Sequence, residues 1–480
     1  MSGMTRRDWL KGAAAAAALA QGGWEAAALA AELPHARPAK PDRHFTSAAV
    51  EALIPRVKRG IADPMVATIF ENCFPNTLDT TVFPGTFEGK PDTYVVTGDI
   101  DAMWLRDSSA QVWPYVPLAK DDERLRVLLE GLVRRQARMV LLDPYANAFK
   151  RDATALPLNW AVLDKTEHHL GVGERKWEVD SLCYVIRLAY GYWRATGDIR
   201  PFDATWKESA WTIVRTFQAQ QRKNGPGPYS FQRNSPVPGD TLALGGFGNP
   251  ARPVGMIYSM FRPSDDACIY PLFVPANLFA VKSLRQLASL AGEGLGDANL
   301  ALHAEELAAE VSLATEQYGK TRQAQFGEIW AFEVDGYGNA LMMDDAGAPG
   351  LLSLAYLECC GIDDPLYQRT RAFSLSDANP YFCRGRAADG LGSPHAGPGR
   401  VWPMGTIYQA LTTNDEAEIR KCLRWLRDTT AGTGFIHESF AKDDASDFTR
   451  PWFAWVNTLF GELVVRLAAQ RPALLSSPLG

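Results

Sequence analysis

Two adjacent carboxylates give the sequence its clearest candidate for acid chemistry. Asp265 and Asp266 stand together in MFRPSDDACIYP, ahead of a helix that we predict to begin near Pro275. Neighbouring carboxylates in a partly buried site repel each other, which raises the pKa of one of them. A carboxyl group with a raised pKa keeps its proton near neutral pH and can act as a general acid. A solvated Ser-Asp-Asp that caps a helix explains these residues alone equally well.

A third carboxylate of interest lies far along the chain. Glu438 stands between His437 and Ser439, in a glycine-bounded loop that leads to a tryptophan-rich final helix. By itself, Glu438 could simply bind an arginine. Hydrolysis of a glycoside, however, requires a second carboxylate that faces the first, either as a nucleophile or as a base for water.

Tryptophan accompanies carboxylates in three places. The run TGDIDAMWLRDSSAQVWPY (97–115) contains Trp104, Arg106 and Asp107, and two further pairs are Trp177/Asp180 and Trp452/Asp447. Aromatic faces stack on the C–H faces of sugars, carboxylates accept from hydroxyls, and a guanidinium beside a carboxylate suits a sugar diol. Each pair alone is more often structural, and Arg106 with Asp107 could be an ordinary ion pair. Together, these residues favour a carbohydrate ligand.

Helices must position these residues, because apolar side chains recur at steps of three and four through most of the chain. In VDSLCYVIRLAYGYW this spacing predicts a helix that begins at Val179. Asp180 then lies in the first turn, where the helix dipole favours the ionised carboxylate. We therefore expect Asp180 to cap the helix or to accept from a hydroxyl, rather than to donate a proton.

About ten helices are predicted, with few strands. Besides 179–193, the helices begin near residues 46, 61, 124, 202, 275, 297, 401, 414 and 452, and strand patterns are limited to 93–98 and a hairpin at 329–343. The loops at 223–274, 374–400 and 430–450 are long, and such loops are usually functional. Two concentric layers of helices would place them at one rim, around a pocket. We predict a single all-α domain over 45–470, followed by a tail at 471–480.

Composition excludes several other classes of function. The net charge of −6 provides no basic surface for nucleic acid. The seven histidines show no metal-ligand spacing, and neither YGKT (318–321) nor LGGFGNP (244–250) satisfies a nucleotide-binding motif. We therefore expect neither a metal nor another cofactor, and no apolar run approaches the length of a membrane helix. The seven cysteines lack a C-x-x-C pair and are predicted to be buried thiols.

The first thirty residues have the pattern of an export signal. Arg6 and Arg7 precede an alanine-rich apolar run, and Ala-Leu-Ala tripeptides follow at 18–20 and 28–30. This pattern predicts a twin-arginine signal peptide over 1–30 and a proline-rich linker over 31–44. The protein would then be periplasmic or secreted, with the twin-arginine export machinery as a partner.

Several segments, in order along the chain, resemble glycoside hydrolase family 125, the exo-acting α-1,6-mannosidases. They are GDIDAMWLRDSSAQVWPY, DPYANAF, KWEVDSLCY, FRPSDDA, MMDDAGAPGLLSLAYL, VWPMG and HESFAKDDASDFTRPWFAWVNTLFGEL, which span about residues 45–470. The resemblance implies an (α/α)6 barrel with long rim loops and a few short β-hairpins. It also implies metal-independent hydrolysis with inversion, acting on mannose-containing oligosaccharides or glycans.

The resemblance assigns roles to the carboxylates. Asp265 is our first choice for the general acid, with Asp266 ionised beside it, and Glu438 is the general base. The residues expected to bind the substrate are Trp104, Arg106, Asp107, Asp180, Arg262, Asp266 and His395. One departure is Asp101, where the family pattern leads us to expect proline.

Three other functions are alternatives to an α-1,6-mannosidase. A related glycosidase on the same helical barrel would act on α-glucosides, and it would release glucose rather than mannose from disaccharides. An exported sugar-binding protein without catalysis is disfavoured because Asp265, Asp266 and Glu438 are all present. A metal-using glycosyltransferase could be suggested by Asp99-x-Asp101, but export away from nucleotide sugars argues against it.

Overall fold

Helices provide most of the regular structure in the computed structural model, which describes residues 33–479. In chain order they are α1 Ala48–Lys58, α2 Pro64–Cys73, α3 Asn76–Thr80, α4 Leu105–Val112, α5 Glu123–Leu142, α6 Val179–Thr196, α7 Ala204–Gln220, α8 Val274–Ser289, α9 Ala298–Tyr318, α10 Pro365–Ser374, α11 Pro403–Leu411, α12 Glu416–Asp428, α13 Ala454–Gln470 and α14 Pro472–Leu475. Every predicted helix is present and begins within about three residues of its expected start, as apolar periodicity dictates. The predictions missed α3, α4, α10 and α14. Helix α4 has eight residues, all of them buried, and so short a run is not enough to recognise apolar periodicity.

The strands are short and pair in small antiparallel sheets. They are β1 Val82–Phe87, β2 Lys90–Val95, β3 Met103–Trp104, β4 Ala148–Phe149, β5 Val172–Glu174, β6 Leu272–Phe273, β7 Lys320–Gln323, β8 Gly327–Trp330, β9 Glu333–Val334, β10 Ala340–Leu341, β11 Phe382–Cys383, β12 Gly390–Leu391, β13 Arg400–Val401, β14 Ser439–Ala441 and β15 Asp444–Thr449. The hairpin expected at 329–343 is divided. Strand β8 pairs back with β7, while β9 pairs with β10 across the glycine-containing turn. The alternation in 329–343 thus belongs to two different pairings.

Burial sorts the helices into two groups that alternate along the chain. Helices α4, α6, α8, α11 and α13 are buried on nearly all faces, whereas α5, α7, α9, α10 and α12 bury one face each. Between α9 and α10, the turns at 351–358 are also largely buried. An apolar stripe faces a core, while a helix buried all round lies within it. The first group therefore forms an inner layer and the second an outer layer.

The two layers also begin their helices differently. In the outer layer an aspartate side chain accepts from the first free N–H groups, as Asp122, Asp203 and Asp415 do. The inner helices α4, α11 and α13 follow Trp104, Trp402 and Phe453 and have no side-chain cap. Their free N-terminal ends leave room for a functional site.

The segments at the two ends of the predicted domain are packed against it. Residues 33–44 were expected to be a linker, yet Arg37 forms ion pairs with Asp79 and Glu51, and Leu33 is buried. At the other end, α14 and the buried Leu479 lie in the expected tail. The predicted signal peptide at 1–30 lies outside the described residues.

Two further findings concern the chain as a whole. Within residues 33–479, no helix combines the length and the apolar composition needed to cross a membrane. All seven cysteines are free thiols, and four of them are buried. Cys359, Cys360 and Cys383 are only half-buried, so the expectation of buried thiols holds for four of the seven.

Candidate active site

A cavity opens where the inner helices α4, α11 and α13 begin. The residues that precede these helices, Trp104, Trp402 and Phe453, form aromatic parts of its wall. The full lining is Thr97, Ile100, Trp104, Arg106, Asp107, Pro263, Ser264, Asp265, Gly347, His395, Trp402, Met404, Glu438, Arg450, Phe453 and Trp455. A concave site with aromatic walls and convergent polar groups is a typical ligand pocket.

Six of the nine residues predicted for the site line this cavity: Trp104, Arg106, Asp107, Asp265, His395 and Glu438. The long loops at 223–274, 374–400 and 430–450 therefore do meet at one place, as expected. Asp180, Arg262 and Asp266 lie behind the wall, where each contacts a charged partner instead of the open space.

Arg106 is the centre of a buried charge cluster. Its guanidinium Nη1 lies 2.6 Å from Glu178 and 3.2 Å from Asp180, while Asp107 and Asp265 are each 3.6 Å from the guanidinium. The predicted ion pair between Arg106 and Asp107 is thus only one of four. Because one cation faces four carboxyl groups, these groups compete for its charge.

The carboxyl groups around Arg106 have raised pKa values. Burial raises the pKa of Glu178 well above its usual range and that of Asp180 to about 6, although Arg106 opposes both shifts. Burial raises the pKa of Asp107 as well. The sequence led us to expect that the dipole of α6 would keep Asp180 ionised. Loss of hydration outweighs the dipole here, because the Asp180 side chain is fully buried.

Asp265 and Asp266 have different surroundings despite their adjacency. Asn147 Nδ2 lies 3.4 Å from Asp265 Oδ1, on the side that faces Arg106. Asp266 lies 3.8 Å from the His395 imidazole. Although burial opposes it, the charges of His395, Lys176 and Arg262 lower the pKa of Asp266. The charge of Asp265 contributes to the raised pKa values of Glu178, Asp107 and Asp180.

The backbone of the loop at 261–267 explains this divergence. Asp265 has a left-handed backbone conformation with φ of 66°. Its N–H donates to the Arg262 carbonyl, and the Arg262 N–H donates to the Asp266 carbonyl, both at 2.8 Å. Lys176 Nζ fixes the Asp265 carbonyl at 2.7 Å. This tight turn sends one carboxyl group into the cavity wall and leaves the other behind it.

Glu438 is held by two donors near the start of the β14–β15 hairpin. Thr449 Oγ1 donates to Oε2 at 3.1 Å, and Arg450 Nη1 donates to Oε1 at 3.3 Å. The same guanidinium forms an ion pair with Asp99. The two donors fix the orientation of the Glu438 side chain in the cavity wall.

Arg262 supports the loop of Asp265 from behind. Its Nε donates to Glu333 Oε1 at 2.6 Å, and the other oxygen of Glu333 accepts from the N–H groups of Ile269 and Tyr270. Ser264 adds a hydrogen bond to Asp345. Arg262 therefore holds the loop at 261–267 in place from behind the cavity wall.

Sequence reasoning missed several lining residues, notably Thr97, Trp402, Arg450 and Trp455. All lie in or beside segments quoted for the family resemblance, so family likeness was the available signal. Glu178 was also passed over.

Of the three tryptophan–carboxylate pairs, one has its tryptophan in the cavity wall. Trp104 lines the cavity, whereas Trp177 is buried and donates to the Tyr258 carbonyl, and Trp452 donates to Asn76. Asp101, the departure from the family pattern, is exposed and lies 3.8 Å from Lys150. Across residues 33–479, no three His, Cys, Asp or Glu side chains are grouped to hold a metal ion.

Comparisons with known proteins agree with this geometry. The family model of the metal-independent α-mannosidases (GH125) matches residues 63–465. The chain is 40% identical over 465 residues to the meiotically up-regulated gene 157 protein of Schizosaccharomyces pombe, covering 92% of this chain and 90% of that protein.

Solved structures give the same family. A metal-independent α-mannosidase of Streptococcus pneumoniae, in a non-productive complex with α-1,6-mannobiose, has a TM-score of 0.85 and 40% identity, covering 89% of this chain and 100% of that chain. A bacterial glucoamylase complexed with acarbose has a TM-score of 0.50 at 12% identity, covering 87% of this chain and 58% of that chain, and shares the fold alone. The family predicted from the sequence is confirmed: the chain belongs to GH125 and is a metal-independent α-mannosidase.

Proposed function

We propose that this α-mannosidase releases terminal mannose from α-1,6-linked mannosides with inversion, using Asp265 as general acid and Glu438 as general base. The observation that carries the proposal is that these two carboxyl groups, from loops far apart in sequence, line one cavity. An inverting glycosidase needs one carboxyl group to protonate the leaving oxygen and another to activate water. The mannobiose complex of the S. pneumoniae relative supports the α-1,6 linkage.

The surroundings of the two adjacent aspartates favour Asp265 over Asp266 as the acid. Asp265 lines the cavity, and Asp266 lies behind it. The lowered pKa of Asp266 suits a carboxylate that orients His395, not a proton donor. Glu438, held by Thr449 and Arg450, removes a proton from the attacking water.

The cavity itself supports an exo mode of action. Trp104, Trp402, Phe453 and Trp455 surround it with aromatic surface, against which the C–H faces of one sugar can pack. Asp107 and Arg106 supply an acceptor and a donor for its hydroxyls. These aromatic side chains and polar groups together suit the binding of a single terminal sugar.

For the fold, we infer an (α/α)6 barrel. Inner and outer helices alternate from α4 to α13, with the turns at 351–358 in one inner place. Helix α2 packs on both α12 and α13, which would close the ring.

For the location, we propose export to the periplasm or beyond, on the basis of the twin-arginine pattern at 1–30.

Product analysis by NMR on α-1,6-mannobiose tests the proposal. The expected first product is β-mannose, which then mutarotates to the equilibrium mixture. Initial α-mannose would overturn inversion. Cleavage of α-1,2- or α-1,3-mannobiose in preference to the α-1,6 isomer would overturn the linkage.

A further inference from the structure

Glu178 is a buried carboxyl group to which the proposed mechanism gives no role. It immediately precedes α6, is 1% exposed and does not line the cavity. Arg106 Nη1 donates to its Oε2 at 2.6 Å, and Ser181 Oγ donates to the same oxygen at 2.8 Å. Glu178 can therefore reach the substrate only through another residue.

The charges that face Glu178 do not balance. Helix α4 contributes Arg106 and Asp107, α6 contributes Asp180, and the loop at 261–267 contributes Asp265. The remaining titratable groups are Lys176, which precedes α6, and Tyr229. Four carboxyl groups thus surround the Arg106 guanidinium. The other nearby cations are Lys176, which donates to the Asp265 carbonyl, and Arg450, whose charge acts on Asp107 but which also pairs with Asp99 and Glu438. Buried carboxylates without an equal number of cations retain protons. The cluster must hold at least one proton near neutral pH.

Asp107 and Asp265 are the carboxyl groups of this cluster that line the cavity, and Asp265 is the proposed acid. We propose that Glu178 and Asp265 share one proton, and that Glu178 is the positioning residue that keeps Asp265 loaded with it. This inference rests on the proposed function, because it assigns a partner to the same acid. Two close carboxyl groups titrate as a pair, and ionising one disfavours ionising the other.

The bonds and protons balance over the hydrolysis reaction. As the bond from the anomeric carbon to the leaving oxygen breaks, Asp265 gives that oxygen its proton. Water forms the new bond to the anomeric carbon, and its proton passes to Glu438. The Glu178–Asp265 pair is then fully ionised beside Arg106, whose charge limits the cost of that state. After the product leaves, solvent returns one proton to the pair and takes one from Glu438.

Burial supports the retention of the proton. It raises the pKa of Glu178 well above the usual range, and the charge of Asp265 raises it further, against the opposing effect of Arg106. Asn147 Nδ2, 3.4 Å from Asp265 Oδ1, orients the other member of the pair.

The substitution Glu178→Gln tests the pairing, because it keeps the shape and removes the charge. Asp265 would then lose its proton at a lower pH. We expect the basic limb of kcat/KM for α-1,6-mannobiose to move down by about one pH unit or more, which is a roughly tenfold loss above the limb. Activity should recover toward acid pH. An α-mannoside with a dinitrophenyl leaving group needs no protonation and should show little of this loss.

Two further variants complete the test. Glu178→Asp retains a carboxyl group with a shorter reach and should restore part of the profile. Glu462→Gln is the matched control, since Glu462 is also buried and bonded but is paired with Tyr356 and Arg466 away from the cavity. Its pH profile should be that of the wild type.

The outcomes separate this inference from the proposed function. A uniform loss at every pH and on both substrates, or failure of both Glu178 variants to fold, would show a structural role and overturn the pairing. If Asp265→Asn loses mannobiose activity but spares the dinitrophenyl substrate while Glu178→Gln leaves the profile unmoved, only the pairing fails. If Asp265→Asn shows no dependence on the leaving group, the assignment of the acid itself fails.

Discussion

At the scale of single residues, the two proposed catalytic carboxyl groups are prepared for opposite tasks. Asp265 lies in a cluster with an excess of carboxyl groups, which favours retention of a proton. Glu438 lies outside that cluster, and Thr449 and Arg450 donate to its two oxygens. The environment of each group, rather than its chemical type, therefore assigns acid and base.

Replacing these groups should have different consequences for different leaving groups. Glu438→Gln removes the base and should lower kcat by roughly 10²–10⁴-fold on every substrate. Asp265→Asn should cause a similar loss on α-1,6-mannobiose and a much smaller loss on the dinitrophenyl mannoside. Steady-state rates with both substrates check this. An unchanged rate for Glu438→Gln would exclude it as the base.

Arg450 should position Glu438. Its guanidinium bridges Glu438 and Asp99, so Arg450→Lys cannot maintain both contacts. We expect kcat to fall by about tenfold or more, with a smaller change in KM. The control is Arg400→Ala, which breaks a more exposed pair with Asp447 and should cost about 0–1 kcal/mol of stability without changing kcat. Equal kinetic effects of the two changes would contradict the positioning role.

At the scale of elements, the site depends on where the inner helices begin. Helices α4, α11 and α13 start after an aromatic residue that lines the cavity, and no side chain caps them. The outer helices have aspartate caps instead. Capping therefore stabilises the outer layer, while the inner helix ends are available for function.

The turns at 351–358 should make stability depend on pH through Asp344. Its carboxylate accepts from the N–H groups of Leu351 and Leu352, but burial raises its pKa to about 7. Between the unfolded pKa of about 3.9 and this value, the folded protein binds the extra proton. This contribution to stability is complete below about pH 4 and is lost as the pH rises through about 7.

The substitution Asp344→Asn should remove that part of the pH dependence. Thermal unfolding midpoints at pH 5 and pH 8 should differ less in the variant than in the wild type. The underlying slope is at most about 1.4 kcal/mol per pH unit. The exposed Asp363→Asn provides a control with the same chemical change. An identical difference between the two pH values in Asp344→Asn and wild type would refute the assignment.

At the scale of the whole molecule, the two chain ends close the domain. Arg37 ties the segment at 33–44 to Asp79 and Glu51, and α14 packs on α13. Residues on both sides of 45–470 therefore contact the helices of the predicted domain. A signal removed near residue 30 would leave these contacts intact.

Export should depend on the paired arginines. Replacement of Arg6 and Arg7 by lysine should retain the precursor in the cytoplasm, because the twin-arginine machinery reads these residues. Fractionation followed by an assay of mannosidase activity checks the outcome. Arg59→Lys, an exposed change in the folded domain, is the control. Delivery of the double variant outside the cytoplasm at the normal level would contradict the proposed route.

The sequence by itself determined ten of the helices, the family and six of the residues that line the cavity. Apolar spacing located ten helices because amphipathic periodicity is a local property. The same reasoning failed for α4, whose eight residues are too few to show a repeated apolar spacing. The family segments contain Trp104, Arg106, Asp107, Asp265 and Glu438, all of which line the cavity.

Only the tertiary structure decided which charges meet. Asp265 and Asp266 are neighbours in sequence, yet a left-handed turn directs them to Glu178 and His395. Asp180 was expected to be ionised by the dipole of α6, but its complete burial beside Arg106 raises its pKa. Burial and charge pairing depend on residues that are distant along the chain, so no local pattern contains them.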